Sequence, residues 1–182
     1  MEGEKGLTRR LAETLGLGDC YYYDACPGPG GLLYNIDGYA EEHSRYPFLT
    51  LADWGYRSVA SAVSDIVASG GEPLAILYSL GTRSRGEALE VASGVADAAR
   101  DIGLVVLKSD LNRASKPWID VAAIGRSTRP VSRRGARPGD VVVQAGYLGY
   151  GLFEHLVYTG RVPLDPALRV AGFGRRLPPL GA

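Results

Sequence analysis

A chain of 182 residues that is 46% hydrophobic and 22% charged can form one globular domain with a substantial core, and its composition excludes general disorder. Its 20 basic and 20 acidic side chains cancel, so no strong positive field favours binding to nucleic acid or to an anionic membrane. No apolar run approaches the roughly 20 residues that cross a bilayer, and the charged N-terminus lacks a signal-peptide core, so we expect a cytoplasmic protein.

The N-terminal third combines one short helix with an irregular segment. Leucines recur every fourth residue, which predicts a helix over residues 7–15. Glycines, prolines and three successive tyrosines in residues 16–31 indicate an irregular loop. The apolar residues 32–36 are typical of a strand, and we expect Asp37-Gly38 to end it. The polar residues 39–51 are predicted to form another loop.

Cys20 and Cys26 lie in the first of these loops, with five residues between them. This spacing matches neither a zinc knuckle nor a redox C-x-x-C pair. We interpret them as ordinary thiols, and leave a disulfide open as the alternative because intracellular bridges occur in hyperthermophiles. His43 and His155 are the only histidines, so a sulfur-ligated metal site is not expected.

The centre of the chain alternates amphipathic helices with apolar strands. The first long helix has a predicted N-cap at Asp53, an apolar stripe at spacings of three and four, and a Gly-Gly end. The second begins with a capping box formed by Ser84 and Glu87 and ends at Gly103. Predicted strands cover residues 73–80, which we expect to be buried on both faces, 104–107, 118–125 and 141–143, and a last helix covers residues 152–158.

This alternation predicts a sheet with helices packed on it. We assign residues 1–160 to that domain. Residues 161–182 are rich in proline, glycine and arginine, and we interpret them as a tail or as the start of a second domain.

Acidic residues and glycines gather where the predicted strands end. Asp19 precedes the first strand, Asp37 closes it and Asp110 follows the third, while Asp65 lies on a small polar face of the first long helix, away from its apolar stripe. Taken singly, each acid is explained more simply by a cap, a turn or solvation. As a set, several carboxylates brought together by a sheet suit Mg²⁺, which prefers oxygen ligands and keeps water and phosphate in its shell.

The chain contains no Walker motif, so a P-loop phosphotransferase is disfavoured. A glycine-rich stretch at residues 146–151 follows a predicted strand and could hold phosphate through backbone amides. We favour the simpler interpretation of a tight connection.

Several segments, which follow one another in the order and at the spacing of a known family, carry a resemblance to it. Residues 124–125, 134–140 and 146–151 continue the match of the four segments described next. Residues 53–73 resemble a helix ending in the pattern S-D-[LI]-x-A-x-G-x-x-P, and residues 16–19 resemble G-I-G-D-D. Residues 35–37 stand in place of T-T-D, and residues 108–110 in place of G-G-D. Over residues 7–160 the chain thus resembles the aminoimidazole-ribotide-synthase superfamily, and most closely its thiamine-monophosphate kinases.

The resemblance implies an α+β domain with a mixed four-stranded sheet and helices on one face, two such sheets pairing into a barrel-like homodimer. It implies Mg²⁺ and ATP as cofactors and transfer of a phosphoryl group to a small phosphorylated substrate, thiamine phosphate. The implied site residues are Asp37 and Asp110 for catalysis, Gly18, Asp19, Lys108 and Asn112 for nucleotide binding, and Asp19, Asp37, Asp65 and Asp110 as metal ligands.

Three departures from the family pattern leave a second hypothesis open. Cys20 replaces a carboxylate, and Lys108-Ser109 replaces a glycine pair where the backbone should approach phosphate. The family also carries a second domain of similar size, which residues 161–182 would begin or which would be separately encoded. The alternative is therefore a non-catalytic nucleotide-binding and dimerisation module that has lost turnover.

Overall fold

The computed structural model describes residues 3–144 and 149–163. In chain order the elements are α1 (Glu4–Thr14), β1 (Cys26–Pro27), β2 (Leu32–Ala40), α2 (Glu41–Ser44), α3 (Leu51–Ala68), β3 (Glu72–Thr82), α4 (Arg85–Ile102), β4 (Val105–Arg113), β5 (Trp118–Arg126) and α5 (Tyr150–Tyr158). No helix in this part of the chain is both long and apolar enough to cross a membrane.

The strands form one open, mixed sheet in the order β1-β2-β5-β3-β4. β3 and β4 are parallel and the other neighbours are antiparallel. This confirms the α+β class and the mixed sheet, but the prediction of four strands was wrong. The fifth strand, β1, is only two residues long, and its pairing with Leu33 and Tyr34 of β2 leaves no periodic signal in the sequence.

Helices α3 and α4 cover one face of the sheet and form the core with it. The apolar stripe of α3 supplies fully buried Val59, Val63 and Ile66, and β5 supplies Ile119 and Val121. The opposite face is more open. Tyr34 and Ile36 are 41% and 68% exposed there. Helix α1 lies beside this face, and a groove of about 670 Å³ runs between them. Because of this open face, residues 77–79 of β3 are only half-buried, contrary to the prediction of a strand covered on both sides.

Two predicted strand ends lie inside longer strands. Asp37 and Gly38 are within β2, and residues 108–112 are within β4. Residues 41–44, predicted as loop, form α2. The predicted strand over residues 141–143 was wrong, since this segment joins no strand of the described sheet and its valines are 82–96% exposed.

Several expectations fall wholly or partly outside the described ranges. Residues 146–148 of the glycine-rich stretch lie outside them, and α5 begins after Gly149, whose φ of 99° favours glycine. Residues 164–182 of the proposed tail also lie outside the described residues.

The caps of the two long helices differ in detail from the sequence prediction. Thr50, and not Asp53, is the N-cap of α3, because the Thr50 hydroxyl accepts from the Asp53 N–H and the Asp53 carboxylate accepts from the Thr50 N–H. Asp53 is thus the third helical residue of a capping box. Ser84 caps α4 as predicted, although the carboxylate of Glu87 accepts from the backbone of Arg83.

Helices α3 and α4 cross at two glycines that allow a very close approach. A Cβ added to Gly94 would overlap the carbonyl oxygen of Ala52, and one added to Gly55 would overlap that of Val91. Both obstacles are backbone atoms in helices, which cannot rotate away. The crossing therefore requires glycine at both positions.

We expect Gly94→Ala to destabilise the fold by about 3 kcal/mol, since overpacking would force α3 and α4 apart. For a domain of this size the melting temperature should fall by roughly 6–12 °C in thermal unfolding. Gly86→Ala in the same helix is the control, because the nearest atom to its added Cβ is 3.9 Å away. Equal melting temperatures for the two variants would contradict the close crossing.

Candidate functional site

The contact between β2 and α3 carries the most polar cluster of the helix-covered face. Asn35, Asp37 and Tyr39 alternate along β2, so their side chains share one face of the strand. The Asn35 amide donates to the carbonyl of Ala62 at 3.1 Å and to the carboxylate of Asp65 at 3.0 Å. The polar face of α3 therefore packs on β2 and brings Asp65 to the predicted residue Asp37.

Tyr39 links the same two elements. Its hydroxyl lies 2.5 Å from Oγ of Ser61 on α3 and 3.4 Å from a carboxylate oxygen of Asp37. Burial raises the pKa of Tyr39, and the charges of Asp37 and Asp65 raise it further. The phenol is therefore neutral near pH 7 and can donate a hydrogen bond to a carboxylate.

The carboxyl group of Asp65 is held in a site that disfavours its negative charge. Burial, followed by the charges of Asp37 and Asp24, raises its pKa to about 6, although hydrogen bonds from Asn35 and Ser64 oppose this. Crowded, half-buried carboxylates of this kind are typical of functional sites. A bound cation would relieve the repulsion.

This cluster fits a magnesium ion that completes its coordination with water and phosphate. In residues 3–144 and 149–163, no three or more histidine, cysteine or acidic side chains form a group that could hold a metal ion. Mg²⁺ commonly takes one or two carboxylates and fills its remaining positions with water and nucleotide oxygens. Asp37 and Asp65 would provide these two carboxylates.

Asp110 lies on the other face of the sheet. Its carboxylate accepts hydrogen bonds from the amide of Asn112 at 2.9 Å and from the hydroxyl of Ser79 at 3.3 Å. The cross-strand partner of Asp37 is Val121, which is fully buried in the core, whereas Ser79 pairs with the uncovered side of β5. Within one chain, the four predicted acids therefore do not form a single cluster.

Lys108, Asp110 and Asn112 alternate along β4 and so share a face. Asn112 also lines a groove of about 370 Å³ at the C-terminal ends of the parallel strands β3 and β4. Three arginines line the same groove: Arg83, Arg85 and Arg113. Arg83 is paired with Glu41 and Glu87, so the positive charge that would attract an anion here is that of Arg85 and Arg113.

Gly18 and Asp19 lie in a short helical turn, residues 18–22, ahead of β1. The Asp19 carboxylate is 90% exposed and lies 4.0 Å from the guanidinium of Arg134. The nearby Asp24, which sequence reasoning missed, pairs with Arg133 at 3.4 Å and adds to the field at Asp65. Its loop has no periodic pattern that could have identified it.

Cys20 and Cys26 form a disulfide, so their interpretation as ordinary thiols was wrong and the alternative is observed. The irregular loop brings the two α-carbons within 4.9 Å of each other, which allows the bond.

Comparison with known proteins identifies the family. Residues 18–127 match the family described as AIR synthase related protein, N-terminal domain. The chain belongs to this family. The thiamine-monophosphate kinase of Pyrobaculum calidifontis is 38% identical over 149 residues, covering 81% of this chain and 48% of that protein. The corresponding kinase of Pyrococcus horikoshii is 35% identical, over 66% of this chain and 40% of that protein.

Solved structures of the family superpose closely. A complex of AaThiL with AMPPCP and TMP matches 96% of this chain and 59% of its own with a TM-score of 0.82 at 26% identity. The protein tt0281 from Thermus thermophilus matches 97% of this chain and 61% of its own with a TM-score of 0.83 at 28% identity. The chain spans about half the length of the curated relatives it matches.

We expect Asp65→Asn to stabilise the protein at pH 7 and to lose this effect in acid. The folded-state pKa of Asp65 is about 6, above its ordinary value of 3.8, so its contribution to stability is full below the ordinary value and is lost as the pH rises through about 6. The variant does not ionise, so its melting temperature should exceed that of the wild type at pH 7 and approach it near pH 4.

Thermal unfolding without divalent metal from pH 4 to pH 8 measures this difference. Asp97→Asn, which removes a carboxylate paired with Arg100 on α4, is the control. A gain that is the same at all pH values would contradict the crowded-carboxylate site.

Proposed function

We propose that this chain is the nucleotide-binding part of an ATP-dependent phosphotransferase of the thiamine-monophosphate-kinase type. The observation that carries the proposal is the cluster formed by Asp37 and Asp65 on a fold that superposes on AaThiL bound to AMPPCP, a non-hydrolysable ATP analogue, and TMP. The relatives named thiamine-monophosphate kinase favour catalysis over a module without turnover. A cytoplasmic location is part of the proposal, because ATP is its phosphoryl donor.

Asp37 and Asp65 would hold Mg²⁺, which supplies charge neutralisation and orients the triphosphate. An acceptor phosphate oxygen, from thiamine monophosphate, would attack the γ-phosphorus as ADP leaves, giving thiamine diphosphate. Such a reaction needs positioning and electrostatic stabilisation and no covalent intermediate on the protein. Asn35 and Tyr39 would keep the two carboxylates together while the ligand binds.

Asp19 and Asp110 lie outside the cluster of Asp37 and Asp65, so their roles are proposed separately. Because Asp110 lies on the opposite face, its contact with the same ligand would need a second chain or a ligand-dependent rearrangement. Lys108 and Asn112 on the same face of β4 would contact nucleotide phosphate directly, and the carboxylate of Asp110 would do so through a bound cation. Gly18 and Asp19 would close over the ligand from the turn that precedes β1.

We also propose that two chains form a homodimer through the open faces of their sheets. This face exposes Tyr34 and Ile36 by 41% and 68%. Pairing two such faces into a barrel-like dimer would remove this apolar surface from water. The remaining half of the relatives' length, on the same or a separate polypeptide, would supply further contacts to the acceptor.

Mg–ATP should raise the melting temperature, since a ligand that binds only the folded state stabilises it. At a hundredfold excess over Kd the gain is about 2.7 kcal/mol, or roughly 5–10 °C for a domain of this size. Asp37→Asn should abolish the shift and Asp97→Asn should retain it. An unchanged melting curve of the wild type at millimolar Mg–ATP would remove the support for nucleotide binding.

Formation of thiamine diphosphate from thiamine monophosphate and Mg–ATP distinguishes the two hypotheses. A product that disappears in Asp37→Asn supports the phosphotransferase. The assay uses a protein of the relatives' full length. If this protein binds nucleotide but forms no product, the result favours the non-catalytic module.

Sedimentation velocity at micromolar concentration tests the dimer. We expect a dimer that Ile36→Glu converts to monomer, because a charge at this position would be buried between the paired faces. Leu89→Glu is the control, since Leu89 is 73% exposed on α4, on the helix-covered side. A wild type that sediments only as a monomer would contradict the shared face.

A further inference from the structure

The disulfide between Cys20 and Cys26 closes a small ring beside the proposed nucleotide site. Cys20 directly follows Asp19 in the turn that precedes β1. Cys26 belongs to β1 and pairs with Tyr34, the neighbour of Asn35. One covalent bond therefore ties the turn that carries Asp19 to the strand next to the Asp65 cluster.

Non-covalent contacts hold residues 21–25 of this loop. The buried N–H of Ala25 donates to Oγ of Ser69 at 2.8 Å. Arg133 pairs with Asp24 and hydrogen-bonds the backbone of Tyr21 and Tyr22. These contacts fix the part of the loop that leads into β1.

The side chain of Asp19, one residue before the ring, is held less firmly. The carboxylate of Asp19 is 90% exposed, and its ion pair with Arg134 is at the limit of contact, 4.0 Å. An exposed ion pair of this kind contributes little to order. The disulfide is thus the strongest described restraint next to Asp19.

A small reductant can reach the bond. Both cysteines are partly exposed, and both line the groove of about 670 Å³ between α1 and the sheet. Asp24, whose charge acts on Asp65, lines the same groove, so a rearrangement at the disulfide would also affect the surroundings of the Asp65 cluster.

We propose that the bond between Cys20 and Cys26 is a redox-sensitive clasp that holds the Asp19 turn and Asp24 in position for Mg–ATP. This inference rests on the proposed function. A dithiol reductant would attack one sulfur, resolve the mixed disulfide with its second thiol and leave as a cyclic disulfide. The protein then gains two electrons and two protons as two thiols. Released from the sheet, the turn would spend less time in the binding-competent position.

Two measurements that need no nucleotide test the clasp itself. Intact-mass analysis after iodoacetamide should show no adduct on the untreated protein and two after treatment with dithiothreitol and removal of the reductant. Chymotrypsin should cleave at the three tyrosines, Tyr21, Tyr22 and Tyr23, at least several-fold faster in the reduced protein. Two adducts without reductant, or equal cleavage rates in both states, would overturn the proposal.

Isothermal titration with Mg–ATP tests the consequence for binding. If reduction lowers the binding-competent fraction of the turn to about a tenth, the Kd should rise about tenfold. The double variant Cys20→Ser/Cys26→Ser should bind with the weaker affinity and be insensitive to dithiothreitol, which controls for effects of the reductant elsewhere.

The two ways of failing are distinguishable. Equal affinities of the oxidised, reduced and double-variant proteins would overturn the clasp and leave the proposed function standing. Absence of Mg–ATP binding in every state would contradict the proposed function and the regulatory role together. The chymotrypsin comparison would then still decide whether the bond restrains the turn.

Discussion

The contact between β2 and α3 is the constraint on which the rest of the site depends. A strand that alternates Asn35, Asp37 and Tyr39 toward a helix must find polar partners there, because an unpaired buried polar group is costly. The Asn35 amide satisfies both the backbone of α3 and the carboxylate of Asp65. The same arrangement leaves two carboxylates close together, which destabilises the fold near neutral pH and provides a place for a cation.

The close crossing of α3 and α4 fixes the position of α3 and so stabilises its contact with β2. Gly55 and Gly94 let the two helices approach until backbone meets backbone. α3 thereby packs both against α4 beside it and against the sheet, with its apolar stripe in the core and Ser61 near β2. The helix α3 therefore holds the carboxylate of Asp65 against β2.

The sequence predicted the elements whose periodicity is strong and missed those whose pattern is mixed. The stripes of α3 and α4 and the apolar centres of β3 and β5 follow from spacing alone. Strand β2 is longer than predicted, because Asp37-Gly38 indicates a turn by itself, whereas in the fold the apolar Ile36 points to the open face while polar residues point to the helices. That inverted alternation resembles a turn when the register with β5 is unknown.

The pattern of acids and the family resemblance both indicate the acids of the candidate site, but neither shows which face of the sheet each acid lies on. Successive side chains of a strand point to opposite faces of the sheet, so a shift of one residue in the register reverses the face. The register of β2 and β4 places Asp37 on the helix-covered face and Asp110 on the open face. The contribution of Asp24 and the disulfide of Cys20 arise in an irregular loop, where only the folded chain shows which groups meet.

The most direct measurement is the position of a divalent ion in crystals of the protein grown with Mn²⁺ and AMPPCP, located by its anomalous scattering. The account predicts a peak within coordination distance of the carboxylates of Asp37 and Asp65. A peak bound only at Asp110, or ordered nucleotide with no ion at the contact between β2 and α3, would contradict it.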